Sequence, residues 1–508
     1  MEPDRRIRRI AIVGGGQAGW TAAVMLGKKL GGQCSIHVVE SPEPVVPGLA
    51  EATQPTILEL LKYLGVDQND FVDKTQSTYS LGSRYFDWAA EGQAFWHPFG
   101  GLGALIERRP FYHYWHKARA HGLSPRLEAC SQEVSMALAN RFIFPTNQLG
   151  IATHLRYALH VDSNIMARYL RTIAERAGVI RLERKVVSVT RREDGFVDEL
   201  QFEDGGKLRA DLYIDCTGSR AQLIGETLES PYESWQQWLP CDRMVHAPGP
   251  LEEMRPPFVR IAARPQGWLR LIPLQQNLSH TFVYSSAHVS DEEAAQELLK
   301  GATPFAEPRR QEFSQGCRRK SWDKNVIALG NASGFLEPLA ATEQHLTTNA
   351  LFTLLDHFPD KQFDPANIAS YNALNGDEFE RIRDFLILHY NLSRRADTPF
   401  WQQAGKGDLP AALAQRIELY RASGRVIMQR PEIFSDLDWF WIFEGSGVVP
   451  RDYDPLVDSV DFEQVKRLMA GFIQKVVADS AAAPSHDSFF AQANSKLTRK
   501  PPAAQTVG

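Results

Sequence analysis

The stretch RRIAIVGGGQAGWTAAVMLGKKLGGQCSIHVVE, Arg8 to Glu40, decides the fold. Its β-branched start predicts a strand, AGWTAAVMLGKKLG has helical spacing, and CSIHVVE predicts a second short strand. Between the first strand and the helix lies Gly14-x-Gly16-x-x-Gly19, with Ala18 on the same turn. The first glycine permits a tight turn, the second lets a pyrophosphate approach the backbone, and the third lets the helix pack on the strand. Glu40 closes the second strand about 20 residues later, where a carboxylate accepts both hydroxyls of an adenosine ribose. A Gly-rich turn alone is an ordinary structural feature. Strand, helix and acid in the right order favour a bound dinucleotide.

Two later segments say which one. ADLYIDCTGSR (210–220) sets Asp215 and Gly218 at a strand end, and NVIALGNASGFLEPL (325–339) does the same with Gly330. An extended flavin dinucleotide must be met by several strand ends, so this set favours FAD over NAD. A helix starting just after Pro338 and Leu339 would aim its free amides at the flavin's pyrophosphate and pyrimidine edge. A second GxGxxG for a nicotinamide cofactor is absent from the sequence. Reducing power is therefore expected as FADH2 from a separate NAD(P)H-dependent flavin reductase.

The rest of the chain bounds the class. Of 508 residues, 43% are hydrophobic and 23% charged, the balance of a soluble globular protein. A net charge of −5 gives no reason to expect nucleic acid or an anionic membrane as partner. Five scattered cysteines without a C-x-x-C suit a reducing cytosol, and the glycines in the N-terminal apolar run argue against a signal peptide. We expect a cytoplasmic protein, with a homodimer left open. His113 and His116 in FYHYWH lack a further ligand nearby, so no metal is expected and His113 reads as a packed or substrate-facing ring. WFWIF (439–443), which includes Trp441, reads as core.

The expected fold is α/β: a Rossmann-like FAD-binding core of the flavin-monooxygenase type, an inserted β-sheet and a largely helical C-terminal part. Residues 50–160 read as loop-rich and aromatic, and 184–218 as a β-meander with turns at Asp194-Gly195 and Asp204-Gly205. The expected division is 1–340 for the core with its sheet and substrate-proximal loops, 341–490 for the helical part completing the substrate pocket, and 491–508 for a disordered tail.

From about Arg8 to His486 the chain resembles the flavin-dependent tryptophan-halogenase family. The resemblance is carried by GGGQAGW (14–20), GLAEATQPTI (48–57, with Ala50 against the flavin), TYSLGSRYFDW (78–88) and LHVDSNIMARYL (159–170). It continues through DLYIDCTGSRAQLI (211–224), GWLRLIPL (267–274), WDKNVIALGNASGFLEPLAAT (322–342) and IRDFLILHY with RRADTPFW (382–401). The resemblance implies FADH2 and O2 reacting through a C4a-hydroperoxide, and a halide bound on a PLEST-G turn that opens a helix. It also implies hypohalous acid passing through a tunnel to a catalytic lysine and glutamate beside an aromatic substrate. Trp268 and the neighbourhood of Trp441 would face the flavin wall and the substrate.

Four positions depart from that pattern. The lysine position is Ser80, the glutamate position is Ala340 with Ala341 beside it, the halide-site glycine is Glu343, and the second tryptophan of W-x-W-x-I-P is Arg270. Serine offers no ammonium, alanine no acid, and a carboxylate repels a halide. Arg270 suits an anionic group. A rival lysine, Lys74, lies too far along the same segment to reach the place of Ser80. The expectation is a FAD-dependent oxidoreductase that oxygenates or oxidises an aromatic small molecule, or a carrier- or peptide-bound aromatic, without classical halogenation. The alternatives are halogenation by a rearranged site, and a catalytically silent flavin-binding protein. NADH or NADPH alone should leave bound FAD oxidised, while an added flavin reductase should reduce it. Stand-alone oxidation of NADPH, followed at 340 nm, would contradict the single-dinucleotide reading.

Overall fold

The computed structural model describes residues 4–42, 49–123, 126–145, 155–300 and 304–490. The tail expected to be disordered, 491–508, lies outside the described residues. The N-terminal fingerprint folds as read: strand Arg9–Val13, helix Gln17–Leu30, strand Ser35–Glu40. Arg9–Val13 lies inside a six-stranded sheet, between Ser35–Glu40 and Leu212–Asp215, both parallel to it. Val326–Ala328 and Ile180–Glu183 extend the parallel set, and Trp322–Asp323 adds an antiparallel edge. Parallel strands covered on both faces read as unbroken apolar runs, which is why IAIV and VIA show no alternation. The chain leaves Val13 into Gly14 at the strand's C-terminal end, where neighbouring strands diverge and ligands bind in open α/β sheets.

The inserted sheet has seven strands, in the order Arg309–Glu312, Arg243–Gly249, Leu278–Tyr284, Gly267–Pro273, Val259–Arg264, Gly82–Phe86, Ala94–Pro98. Within Gly267–Pro273 the period of two puts Trp268, Arg270 and Ile272 on one fully buried face. An arginine on a core-facing strand position is unusual and must be explained by what it meets. A third sheet of three strands sets Ala158–Asp162 between Ala50–Ala52 and Thr78–Ser80. Its register pairs Ala50 with Asp162 at one end and Ser80 with Ala158 at the other. Four residues of strand separate those levels, roughly 14 Å.

Two expectations need adjustment. The meander forms as the small sheet Val186–Arg191, Val197–Phe202, Lys207–Arg209, but its last expected strand, Leu212–Asp215, joins the parallel sheet instead. Residues 50–160 are more ordered than their aromatic, Gly-rich composition implied. They hold helices Thr56–Leu64, Gln68–Thr75, Phe111–Ala120 and Gln132–Leu138 as well as five strands, the last running past 160, of two sheets. Helix Phe111–Ala120 is buried on nearly every side, so it lacks the two-sided pattern that reveals a surface helix.

The C-terminal part is helical as expected, with Glu343–Asp356, Pro365–Asn391, Ala411–Ser423, Asp436–Gly445 and Phe462–Ala482. WFWIF is core throughout: Trp439 to Phe443 are all buried, and His97 Nε2 meets Asp438 at 2.8 Å to tie this helix to the seven-stranded sheet. Among the described residues, no helix is long and apolar enough to cross a membrane.

Candidate active site

A cavity of about 410 Å³ opens at the C-terminal ends of the parallel strands. Gly16, Gln17 and Ala18 from the N-terminal turn, Gly218, and Gly330 line one part; Glu51, His246, Pro338, Glu343 and Gln344 line another. Three glycines of the fingerprint behave differently. Gly14 has φ +115°, and a Cβ there would lie 2.1 Å from the Cys216 carbonyl oxygen. A Cβ on Gly19 would lie 1.9 Å from the Gly14 oxygen. Both are glycine because protein atoms need the space. Gly16 has ordinary φ −77° and nothing within 4 Å of a Cβ, although it lines the cavity. The space in front of Gly16 is left free by the protein, as a pyrophosphate lying against that backbone requires. Gly218 repeats this on the opposite wall, open in front of the position of a Cβ.

Glu40 stands at the same end, its carboxylate beside Gly15, accepting from Trp20 Nε1 at 3.3 Å and from Arg181 Nε. Arg181, and Arg171 at 3.9 Å, were not singled out in the sequence. Asp215 does not line the cavity. Its buried carboxylate accepts from Thr217 N and Oγ1 and from the amides of Leu223 and Ile224 at 2.8 Å each, so it shapes the turn that carries Gly218.

After Pro338 the chain turns, with Leu339 N donating to Glu337 O at 2.8 Å and Ala341 at φ +58°, before helix Glu343–Asp356 begins, so the helix starts later than expected and Glu343 is its first residue. Four contacts fix the loop. Gln315 Oε1 accepts from Glu337 N at 2.9 Å, Arg270 Nη1 donates to Pro338 O at 3.4 Å, Tyr85 OH donates to Leu339 O at 3.3 Å, and Gln54 Nε2 donates to Ala340 O at 2.6 Å. Arg270 Nη2 donates to Ala50 O at 3.1 Å, tying the strand Ala50–Ala52 to the same guanidinium. Burial pushes the Arg270 guanidinium down to about 10, against the opposing pull of Glu51 and Glu343. Burial and mutual repulsion hold Glu51 well above the usual carboxylate range, and burial holds Glu343 above it. Burial holds His246 down to about 4, so it is neutral.

Sequence reasoning named Glu343 and Arg270 but passed over Glu51, which lies inside a quoted segment. Its signal was a carboxylate between two small apolar residues, Ala50 and Ala52, all buried. Glu337 was missed too: it is fully buried, burial pushes it up to about 7, and Tyr390, Gln315, Cys241 and Trp268 surround it.

Ser80 is not part of this cavity. It ends the strand Thr78–Ser80, fully buried, with its hydroxyl 3.4 Å from Gly82 O. Ala340 is buried in the loop. Trp268 donates Nε1 to Tyr390 OH at 3.1 Å, behind the loop. His113, which burial holds down to about 4, packs on Tyr112 at 4.2 Å, and Trp441 is buried in its helix; neither lines the flavin cavity.

Fold and cavity together define a dinucleotide-binding flavoprotein. The profile of the tryptophan halogenase family matches residues 9–462. The chain is 31% identical over 488 residues to tryptophan 7-halogenase RebH of Lentzea aerocolonigenes, across 89% of this chain and 91% of that protein. Among solved structures, the flavin-dependent halogenase BrvH from Brevundimonas sp. BAL3 superposes with TM-score 0.91 at 37% identity, covering 96% of this chain and 100% of that one. Xcc4156, a flavin-dependent halogenase from Xanthomonas campestris, gives 0.92 at 36% identity, covering 96% and 98%. The chain belongs to the tryptophan-halogenase family. Its cofactor is FAD, which family enzymes use as FADH2 with O2 after reduction by a partner reductase.

The glycines separate two effects. Gly16→Ala should weaken FAD at least about tenfold while leaving the melting temperature nearly unchanged. Gly14→Ala should lower the melting temperature itself, since a left-handed φ costs about 1–2 kcal/mol before any clash. Flavin fluorescence quenching and thermal denaturation measure the pair. Equal flavin affinity in Gly16→Ala would remove the pyrophosphate from this cavity.

Proposed function

We propose that this chain is an FADH2- and O2-dependent oxygenase of an aromatic substrate and that it does not halogenate. The observation that carries the reading is the state of the two transfer positions. Ser80 is a sealed hydroxyl under Gly82 O, and Ala340 contributes only a methyl group and a carbonyl already bonded to Gln54. Neither can donate an ammonium proton or accept a ring proton. Rival lysines do not fill the gap. Lys74 is exposed and paired with Asp70 at 2.6 Å. Lys117, the one buried lysine among the described residues, is held by Val457 O, Val460 O and Asp458.

In this reading Gly16, Ala18, Gly218 and Gly330 hold the FAD pyrophosphate, Glu40 the ribose, and Pro338, Glu51 and Glu343 face the ring. Bound reduced flavin supplies the two electrons that activate O2. One oxygen atom enters the substrate and the other leaves as water: substrate-H, O2 and FADH2 give substrate-OH, H2O and FAD. The chain's own part is to exclude water behind the Gln54, Tyr85 and Arg270 contacts, and to keep negative side chains where a halide would need positive potential. Trp268, Tyr85, Trp88 and His389 form a fully buried aromatic cluster behind the loop, and the reducing partner in this reading is a separate flavin reductase.

Halogenation stays the competing reading because the named relatives above are halogenases. Product mass decides between them. With FAD, a flavin reductase, NADH and a panel of indoles and phenols, the expected product gains one oxygen atom derived from isotopically heavy O2, at a rate independent of chloride and bromide. A halogenated product from the unmodified chain overturns the proposal. Ser80→Lys alone should give no halogenation, because loss of a positioned acid or base commonly costs ~100-fold in rate and Ala340 and Glu343 remain. Ser80→Lys, Ala340→Glu, Glu343→Gly together form the variant that could restore it.

A further inference from the structure

The flavin cavity holds more acid than its surroundings balance. Glu51 enters from the strand Ala50–Ala52 and Glu343 from the start of its helix, and both line the cavity. The cation nearby, Arg270, stands behind the wall: among the described residues no carboxylate comes within 4.0 Å of it, its Nη atoms go to carbonyls, and its Nε has no partner. Asp162, across from Ala50 in register, adds further negative potential at Glu51. From the strand Arg243–Gly249 His246 is neutral, and from helix Gln17–Leu30 Gln17 offers only an amide, which favours the ionised form of Glu51. Cys216, on the same wall, is a neutral thiol because burial holds it up. Two cavity carboxyls thus share one remote guanidinium.

We propose that Glu51 and Glu343 hold one proton between them when the dinucleotide fills the cavity, and that binding FAD takes this proton from solvent. Filling the cavity removes water from Glu343, which is half-buried, and brings the two phosphate charges of FAD into the same space. Both changes disfavour a second carboxylate. Arg270 balances one carboxylate, so the uptake stops at one proton. Unpaired amides at the start of its helix favour ionised Glu343, which leaves the proton on Glu51. The proton gives this chain a carboxylic acid at the flavin, a group that Ala340 cannot provide. The inference depends on FAD being the ligand and not on the choice between oxygenation and halogenation.

Calorimetric titration of the full chain with FAD, in buffers of different ionisation enthalpy, counts the protons directly. Where pH is high enough to ionise both carboxyls of the free chain, the expected uptake approaches one proton per FAD, and Kd should weaken by up to about tenfold per pH unit as pH rises through that range. Glu51→Gln and Glu343→Gln should each bring the uptake near zero and flatten the pH profile, because sharing requires both acids. Circular dichroism and melting temperature show that each variant folds. Uptake near zero in the unmodified chain overturns the proposal, a result that needs no variant. Uptake unchanged in both variants overturns it as well, by placing the proton elsewhere.

Discussion

Arg270 reaches from the middle of the seven-stranded sheet to two backbone carbonyls, Ala50 O and Pro338 O, beside the flavin cavity. A guanidinium with 1% exposure is costly to bury, and the strand on which it sits is otherwise apolar on that face. Hydrogen bonds from a charged donor contribute about 1.5–3 kcal/mol each, and leaving the carbonyls bare would cost a similar amount. The residue therefore couples the inserted sheet to the three-stranded sheet and to the loop before helix Glu343–Asp356, beside the cavity. It also sets the electrostatics. The Glu51 and Glu343 carboxyls are raised by burial and restrained by Arg270 alone among nearby cations, so their proton affinity and the tie between strand Ala50–Ala52 and the loop depend on the same side chain.

The parts of this architecture that were legible in the sequence are those set by local rules. Gly14-x-Gly16-x-x-Gly19 announces a turn whose glycines are sterically required, and the structure shows Gly14 and Gly19 pressed against backbone oxygens. The apolar runs at Ile10–Val13 and Val326–Ala328 announce buried parallel strands, and the long C-terminal helices announce themselves by periodicity. What stayed hidden depends on distant residues. Helix Phe111–Ala120 has no polar face to read, since the C-terminal helices cover it. Asp215 looks like a cofactor contact in sequence, yet four local donors claim its carboxylate. Glu51 gains its meaning only from Glu343 and Arg270, which are hundreds of residues away and meet it through three separate sheets or helices.

The register of the small sheet adds a spatial argument that the sequence could not contain. Ala50 and Ser80 lie at opposite ends of strands flanking Ala158–Asp162, so the flavin carboxyls and the sealed serine are well apart. Behind the loop Glu337–Thr342 lies a buried region. That region is rich in aromatic rings, with Tyr85, Trp88, Trp268 and Tyr390 in mutual contact. Among its polar atoms the carboxyl of Glu337 and the Nε2 of His389 find no hydrogen bond of good geometry.

The loop itself shows how such a scaffold changes chemistry without changing shape. Ala341 sits at φ +58°, a left-handed conformation that costs a non-glycine residue about 1–3 kcal/mol and persists only where surroundings over-determine it. Here the surroundings do so: Gln315, Arg270, Tyr85 and Gln54 each fix one peptide of the loop, and all four act on backbone atoms. The path of the chain is consequently independent of the side chains at 340, 341 and 343. That independence accounts for a backbone that superposes on flavin-dependent halogenases at TM-score 0.91 while alanines and a glutamate occupy the positions where the family resemblance places its acid and halide site. Reactivity at this loop is thus free to vary by side-chain replacement alone, with the cavity geometry conserved by contacts that never touch the variable atoms.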